Sequence, residues 1–234
     1  MKNIVIVLLA LVMVFGVSAL AHAALIDRGA DSLGNHLIYD TDLNITWYDY
    51  TNAMNTWQNQ LNWANALTVD FNGTTYDAWR LPSTVDGLQV SGYDGSTTIG
   101  FNITTSEMGH LFYAELGNKG QWDTAGVYVG DGAWGLLNTG PFVNLQSVLF
   151  TAYWSATEYA ADPQYYFNGS PTGAWLFEFY TGNQQVTAKD RSFFALAVFD
   201  GDIANLPEPG TALFLGMGLA GLIAGRRMLD QRQG

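Results

Sequence analysis

The chain has 234 residues, 21 acidic against 9 basic side chains, a formal net charge of −12 and no cysteine. Such a surface repels nucleic acid and anionic lipid, and the lack of thiols excludes disulfides, thiolate metal sites and a cysteine nucleophile. Stability must come from a packed core, for which a 48% apolar and 14% aromatic composition supplies the material.

Lys2, an apolar run from Ile4 to Leu20 and small residues at Ala21 and Ala23 have the three-part layout of a secretory signal peptide, with cleavage after Ala23. An uncleaved anchor is the alternative, because about 17 apolar residues approach the lower limit for spanning a bilayer. The signal peptide then occupies residues 1–23 and an exported region residues 24–205, about 180 residues and the size of one domain. All eight Trp residues lie in that region, between Trp47 and Trp175, and its only basic residues are Arg28, Arg80, Lys119, Lys189 and Arg191.

Within it, His36 to Tyr48 reads as two β-rich runs around an Asp/Asn turn, a hairpin. Asn55, with Gln58 three residues on, suits the start of a helix whose apolar stripe is Trp57, Leu61, Ala64 and Leu67. A loop rich in Ser, Asp and Gly follows Trp79-Arg80-Leu81-Pro82 and runs to Gly100. Ser106 can cap a second helix with Met108, Leu111, Phe112 and Leu116 on its apolar face, stopped at Gly117. From Gln121 to Gly140, glycine, aromatics and asparagine alternate without a period, the mark of a long surface excursion. Three β-like runs close the region: Ala152 to Thr157, Ala174 to Tyr180 and Phe193 to Phe199. Strand hairpin, helix, loop, helix, long loop and a cluster of strands make an α+β pattern.

Four groups carry possible chemistry. Asp40, Asp42 and Asn44 alternate oxygen ligands as the opening of a calcium loop does, but no Gly at the sixth position or Glu at the twelfth follows, so an ordinary hairpin turn is the competing account. Arg80 sits in an apolar setting, where a guanidinium persists if it is paired, with Asp77 or a distant carboxylate, or faces a ligand. Glu107 and His110 share a helical face, a spacing used by carboxylate-bridged metal sites when a second helix supplies partners; none does here, and His36 is the only other histidine of the exported region, which disfavours zinc or triad chemistry. Trp122, Tyr128 and Trp134 in the glycine-rich excursion, with Tyr159, Tyr165 and Tyr166 further on, can stack on sugar faces without a metal, or brace loops and core.

Residues 206–234 form a separate tail. Leu206-Pro207-Glu208-Pro209-Gly210 precedes an apolar stretch, Ala212 to Ala224, that rises only about 20 Å as a helix against a hydrocarbon core of about 30 Å. Arg226, Arg227 and Arg232 follow and face the cytoplasm by the positive-inside rule. The order of triplet, short transmembrane helix and basic end resembles the PEP-CTERM sorting signal. That resemblance implies an exosortase-type membrane protease as partner, a membrane-held intermediate, and delivery to the cell surface or matrix of an exopolysaccharide-producing bacterium.

Within the exported region, Tyr39 to Trp47, the helix with Trp57 and Trp63, Asp77-Ala78-Trp79-Arg80-Leu81-Pro82 and Tyr153-Trp154-Ser155-Ala156-Thr157 resemble the Lcl C-terminal domain family. Ser106 to Tyr113, Glu115 to Asn118 and Gly140-Pro141-Phe142 are similar to a subset of it with PEP-CTERM tails. The resemblance implies a C-type-lectin-like fold, two helices with a small loop-rich antiparallel sheet, and no established reaction. The calcium- and sugar-binding motifs of true lectins are not found, and the last strand carries Phe199 before Asp200-Gly201-Asp202 where the family has arginine more often.

The expected function is therefore non-enzymatic binding of extracellular polysaccharide or a surface protein, with Trp122, Tyr128, Trp134 and Arg80 as ligand-facing candidates, no cofactor beyond a possible calcium at Asp40, Asp42 and Asn44, and no nucleic acid. A glycoside hydrolase using Glu158 and Glu178, or a self-assembling coat protein, are the alternatives.

Overall fold

A computed structural model describes residues 25–162 and 172–205. The expected signal peptide and sorting tail, and Tyr165 and Tyr166, lie outside the described residues. Strands β1 (Leu25–Ala30), β2 (His36–Asp40) and β3 (Ile45–Asn55) form an antiparallel meander. Its second turn is made by side chains: Asp40 Oδ1 accepts from the backbone N–H of Asp42 and Leu43 at 3.2 and 3.0 Å, and Asn44 takes a left-handed φ of 52°. Asn tolerates that conformation better than other non-glycine residues.

Helix α1 (Trp57–Ala66) follows, then the small hairpin β4 (Val69–Phe71) and β5 (Thr74–Tyr76), and the two-residue strands β6 (Trp79–Arg80), β7 (Ser91–Gly92) and β8 (Ile99–Gly100). A four-residue helix α2 (Glu107–His110) runs directly into a π-helical turn, Leu111–Glu115. Ser106 Oγ accepts from the Gly109 N–H at its start, at 3.1 Å. After the long excursion come β9 (Tyr153–Tyr159), β10 (Gly173–Glu178), β11 (Asn183–Ala188) and β12 (Phe193–Asp200), then a 3₁₀ turn at Ile203–Asn205.

Ten of the twelve described strands assemble into one sheet, in the order β1-β2-β3-β12-β9-β10-β11-β8-β7 with β6 alongside β12, while β4 and β5 pair only with each other. It is mixed: β12 runs parallel to β9, and β7 parallel to β8, while the other pairs are antiparallel. β12 is the seam. Its Ala195, Leu196, Ala197 and Val198 are all fully buried, so both of its faces are covered. Leu196 and Val198 join Ile38, Trp47, Phe112, Phe177 and Phe179 in the main core. Ala195 and Ala197 point to the opposite side, into two smaller clusters. One gathers Trp57, Ala64, Leu81 and Trp154, the other Tyr48, Phe71, Tyr76 and Trp79. Methyl side chains there leave room for α1, whose Ala64 is also fully buried.

This architecture corrects the expected fold class. A small antiparallel sheet with two helices is expected from the α+β pattern and the C-type-lectin-like resemblance; the described residues instead build a large mixed sheet, with one ten-residue helix and one four-residue helix. Two causes are physical. The apolar stripe after Ser106 is real, but its second half winds as a π turn rather than as a regular helix. Further strands come from segments too short or too polar to show a two-residue period, such as Asn183-Gln184-Gln185-Val186 in β11, which joins by backbone pairing to β10. The expected membrane helices fall outside the described residues, and among those described no helix is long and apolar enough to cross a membrane.

The packing at the seam sets a first prediction. Ala195→Leu forces extra methylenes between β12 and the Trp57–Leu81 cluster and should cost about 1–3 kcal/mol, measured as a lower urea midpoint with an unchanged slope.

Candidate functional site

Arg80 and Glu107 decide where the second half of the chain sits. The guanidinium of Arg80 uses all five N–H donors. Nε and Nη2 reach Asp200 Oδ1 at 3.0 and 2.7 Å, Nη1 and Nη2 reach Glu107 Oε2 and Oε1 at 2.8 and 2.7 Å, and Nη1 also reaches the Leu81 carbonyl at 3.1 Å. Glu107 Oε2 additionally accepts from the Ser83 N–H at 2.7 Å. The partners are thus Glu107 and Asp200 rather than Asp77, and the fork has no donor left over for a ligand.

Beyond α2 the chain is pinned by Asn118, only 7% exposed. Its Oδ1 accepts from the N–H groups of Leu137 and Asn138 at 3.0 and 2.8 Å, and its Nδ2 donates to the Asn138 carbonyl at 2.8 Å. This side chain staples the two ends of the excursion. Inside it, Gly135 N–H bonds the Lys119 carbonyl and Val129 N–H bonds the Gln121 carbonyl, so residues 119–135 fold back as an irregular hairpin. At its tip Asp123 Oδ1 accepts from the N–H groups of Ala125 and Val127, both at 2.9 Å.

The hairpin lines up aromatic rings. Phe101 stacks on Tyr93 at 6.0 Å with an interplanar angle of 7°, and Tyr93 meets Trp122 at 5.7 Å. Trp122 continues to Tyr128 at 5.8 Å, Tyr128 to Trp134 at 6.5 Å, and Trp134 to Tyr180 at 5.3 Å. Trp134 Nε1 donates to Tyr128 Oη, whose hydroxyl donates to Asp131. Tyr93 and Tyr128 are 44% and 40% exposed, Trp122, Trp134 and Tyr180 are partly buried, and Phe101 is buried at the ribbon's inner end. Beside it lies a groove of about 440 Å³ lined by Asn102, Lys119, Gly120, Trp122, Asp123, Thr124, Tyr128 and Val129. A second depression of about 340 Å³ shares Thr124 with it and extends past Tyr93, Asp94, Ser96 and Thr97. A third, of about 210 Å³, is bordered by Tyr93, Phe101, Asn183 and Gln185; there Asn183 Oδ1 is buried without a hydrogen-bond partner.

Trp122, Tyr128 and Trp134, singled out from sequence, are consecutive members of this ribbon. Tyr93, Phe101 and Tyr180 were not singled out, and the one signal for them is an aromatic beside glycine or a polar turn at the ends of the short strands. Tyr159 is elsewhere, 5% exposed and edge-on to Trp175.

Asp40, Asp42 and Asn44 part company. Asn44 Oδ1 accepts from the Tyr39 hydroxyl at 2.9 Å. Asp40, fully buried, lies with His110 and Glu115, their ligand atoms all within 4.8 Å of one another. Asp42 Oδ2 is 3.9 Å from His110 Nε2. Burial, then the charge on Asp40, push the Glu115 carboxyl above its ordinary range, against the lowering effect of His110. Glu107 and His110 therefore serve different partners.

Glu158 and Glu178 also separate. Glu158 pairs with Lys189, whose ammonium lies 4.1 Å from the Trp57 ring centroid, while Glu178 accepts from the Thr181 hydroxyl and Gln185 Nε2. Glu158 stands opposite Ala174, four residues along β10 from Glu178, roughly 13 Å at a strand rise of about 3.3 Å. Glycosidase carboxylates stand about 5–9.5 Å apart.

No family model, curated protein or solved structure matches this chain.

Asn118→Ala removes the staple at the base of the hairpin. Three hydrogen bonds at about 1 kcal/mol each give an expected loss of about 2–3 kcal/mol in chemical denaturation, with early protease cleavage between residues 119 and 137.

Proposed function

We propose that this is an exported, non-catalytic binding protein whose aromatic ribbon takes a neutral polysaccharide chain at the surface or in the matrix of an exopolysaccharide-producing bacterium. The observation that carries the reading is the line of six rings from Phe101 to Tyr180 along a chain of open depressions. Flat apolar rings take sugar faces, while Asn102 and Thr124 on the groove wall offer polar groups to hydroxyls. Asp94 and Asp123 in the walls of the depressions disfavour polyanions, and the net charge of −12 acts in the same direction. An open, elongated site lined by rings suits a polymer better than a small metabolite.

Delivery is part of the proposal. The Pro207-Glu208-Pro209 triplet, the short apolar stretch and Arg226-Arg227 are the features of a tail handled by an exosortase-type protease, and the segments similar to the Lcl C-terminal domain family agree with an exported binding role. Those segments have a structural use here: Trp79 and Trp154 are buried, and Arg80 is saturated. The resemblance therefore bears on the scaffold, and the ligand reading rests on the ribbon.

Two experiments test this. The full chain in mild detergent, run in affinity electrophoresis against neutral glucans, mannans and the exopolysaccharide of the producing bacterium, should be retarded. Trp122→Ala and Trp134→Ala should each weaken retention about tenfold, equivalent to about 1.4 kcal/mol, with unchanged circular dichroism; retention at the wild-type level in both variants would sink the aromatic platform. For delivery, Glu208→Ala in the producing cells should leave a membrane-bound form of higher apparent mass on immunoblots, and normal processing of that variant would remove the sorting assignment.

A further inference from the structure

Away from the ribbon, three acidic side chains and one imidazole converge with no Lys or Arg among them. Asp40 comes from the end of β2 and Asp42 from the hairpin turn. His110 closes α2 and Glu115 closes the π turn. The π turn is what joins the last two. Its Leu116 N–H bonds back five residues to the Leu111 carbonyl at 2.9 Å. In a regular α-helix residues five apart point about 140° away from each other. Here the wider winding brings His110 Nε2 to 3.2 Å from Glu115 Oε1.

The burial is as unusual as the geometry. The Glu115 side chain is 1% exposed and that of His110 18%, and Asp40 is fully buried. Among the described residues Glu115 has one hydrogen-bond partner, His110 itself. Asp40 is held from behind: Oδ1 by two backbone N–H groups, and Oδ2 by Trp47 Nε1 at 3.2 Å. Such outer hydrogen bonds orient a ligating carboxylate and leave a lone pair directed inward. Two enclosed carboxylates facing one imidazole are costly unless a cation joins them.

We infer that Asp40, His110 and Glu115, with Asp42 at the open side, form a binding site for one divalent transition-metal ion of the zinc or manganese kind. The donor set decides the class. An imidazole nitrogen among the ligands favours first-row transition ions over calcium, which takes oxygen ligands, while the carboxylates suit manganese and zinc alike. The ligand atoms lie within 4.8 Å of one another; His110 Nε2 and Glu115 Oε1, at 3.2 Å, already stand near the edge of about 3.4 Å of a tetrahedron with bonds of about 2.1 Å, and the wider separations close by up to about an ångström on binding. Asn44, the third residue of the hairpin pattern, has its oxygen engaged by Tyr39 and stays outside the site. The ion would tie the β2–β3 turn to the end of the π turn, immediately before the aromatic hairpin begins.

The test is titration of the full chain, freed of metal by chelator in mild detergent, with ZnCl₂, MnCl₂ and CaCl₂, followed by calorimetry and thermal melting. One zinc or manganese ion per chain should bind and raise the melting temperature. Glu115→Gln and His110→Asn, both close in shape to the residues they replace, should each weaken binding at least tenfold, while Asn44→Gly leaves it unchanged. Absence of saturable binding by either transition ion, undiminished affinity in Glu115→Gln, or calcium binding that survives His110→Asn would each overturn the assignment. Melting of the metal-free variants shows separately whether they fold, and polysaccharide retention of Glu115→Gln distinguishes a failure here from a failure of the ribbon.

Discussion

The Arg80 guanidinium, with Glu107 on one side and Asp200 on the other, is the constraint on which the remaining geometry depends. It is a five-bond junction between a two-residue strand, the first residue of α2 and the end of β12. Two of these would not hold their place alone: β6 is too short to be stable, and a four-residue helix has little intrinsic stability. A planar fork that satisfies both carboxylates at once fixes the direction in which α2 leaves the sheet. From there the π turn, the Asn118 staple and the aromatic hairpin follow in order along the chain. Lysine, with one compact ammonium, could not span the same two partners.

Both candidate sites hang from that junction, and they differ in what they ask of it. The ribbon is a partly exposed row of rings, half of them on a hairpin that has no regular secondary structure, so its shape comes from the Asn118 and Asp123 hydrogen bonds and from ring-to-ring contact. The carboxylate–imidazole cluster is the opposite case. It is enclosed, and it is built from a tight β-turn facing a π turn, where each ligand's position is set by backbone geometry.

Legibility in the sequence followed the range of the interactions. The β2–β3 hairpin has its turn residues in the chain beside it, α1 has its own apolar period, and the runs that become β9, β10 and β12 are rich in apolar and aromatic residues. The breadth of the sheet was not legible, because β6, β7 and β8 are two residues long and exist only through partners far along the chain, as when Val198 pairs with Arg80. A helical period after Ser106 is compatible with α and π winding alike, and that ambiguity hid the meeting of His110 with Glu115. Rings in a glycine-rich stretch marked Trp122, Tyr128 and Trp134, but the ribbon is completed by Tyr93, Phe101 and Tyr180 from three other segments. Asp40 and Asp42 were visible as a pair, whereas their partners came from a turn some seventy residues later.

The place of β12 has a mechanical meaning. It is the last strand before the C-terminal segment, and it is bonded on both edges, to β3 along one and to β9 and β6 along the other. A tensile load entering from the C-terminal end acts along that strand, so its hydrogen bonds are strained in shear and share the force. β1, at the sheet's rim and bonded on one side only, would instead peel open bond by bond. The Arg28–Asp202 ion pair, at 2.6 Å, clasps that rim strand to the segment just beyond β12, so force arriving there is also passed to the first strand of the sheet. On the proposed reading of a tail-held domain that binds a polymer, such a load would enter at a strand bonded on both edges and not at the rim.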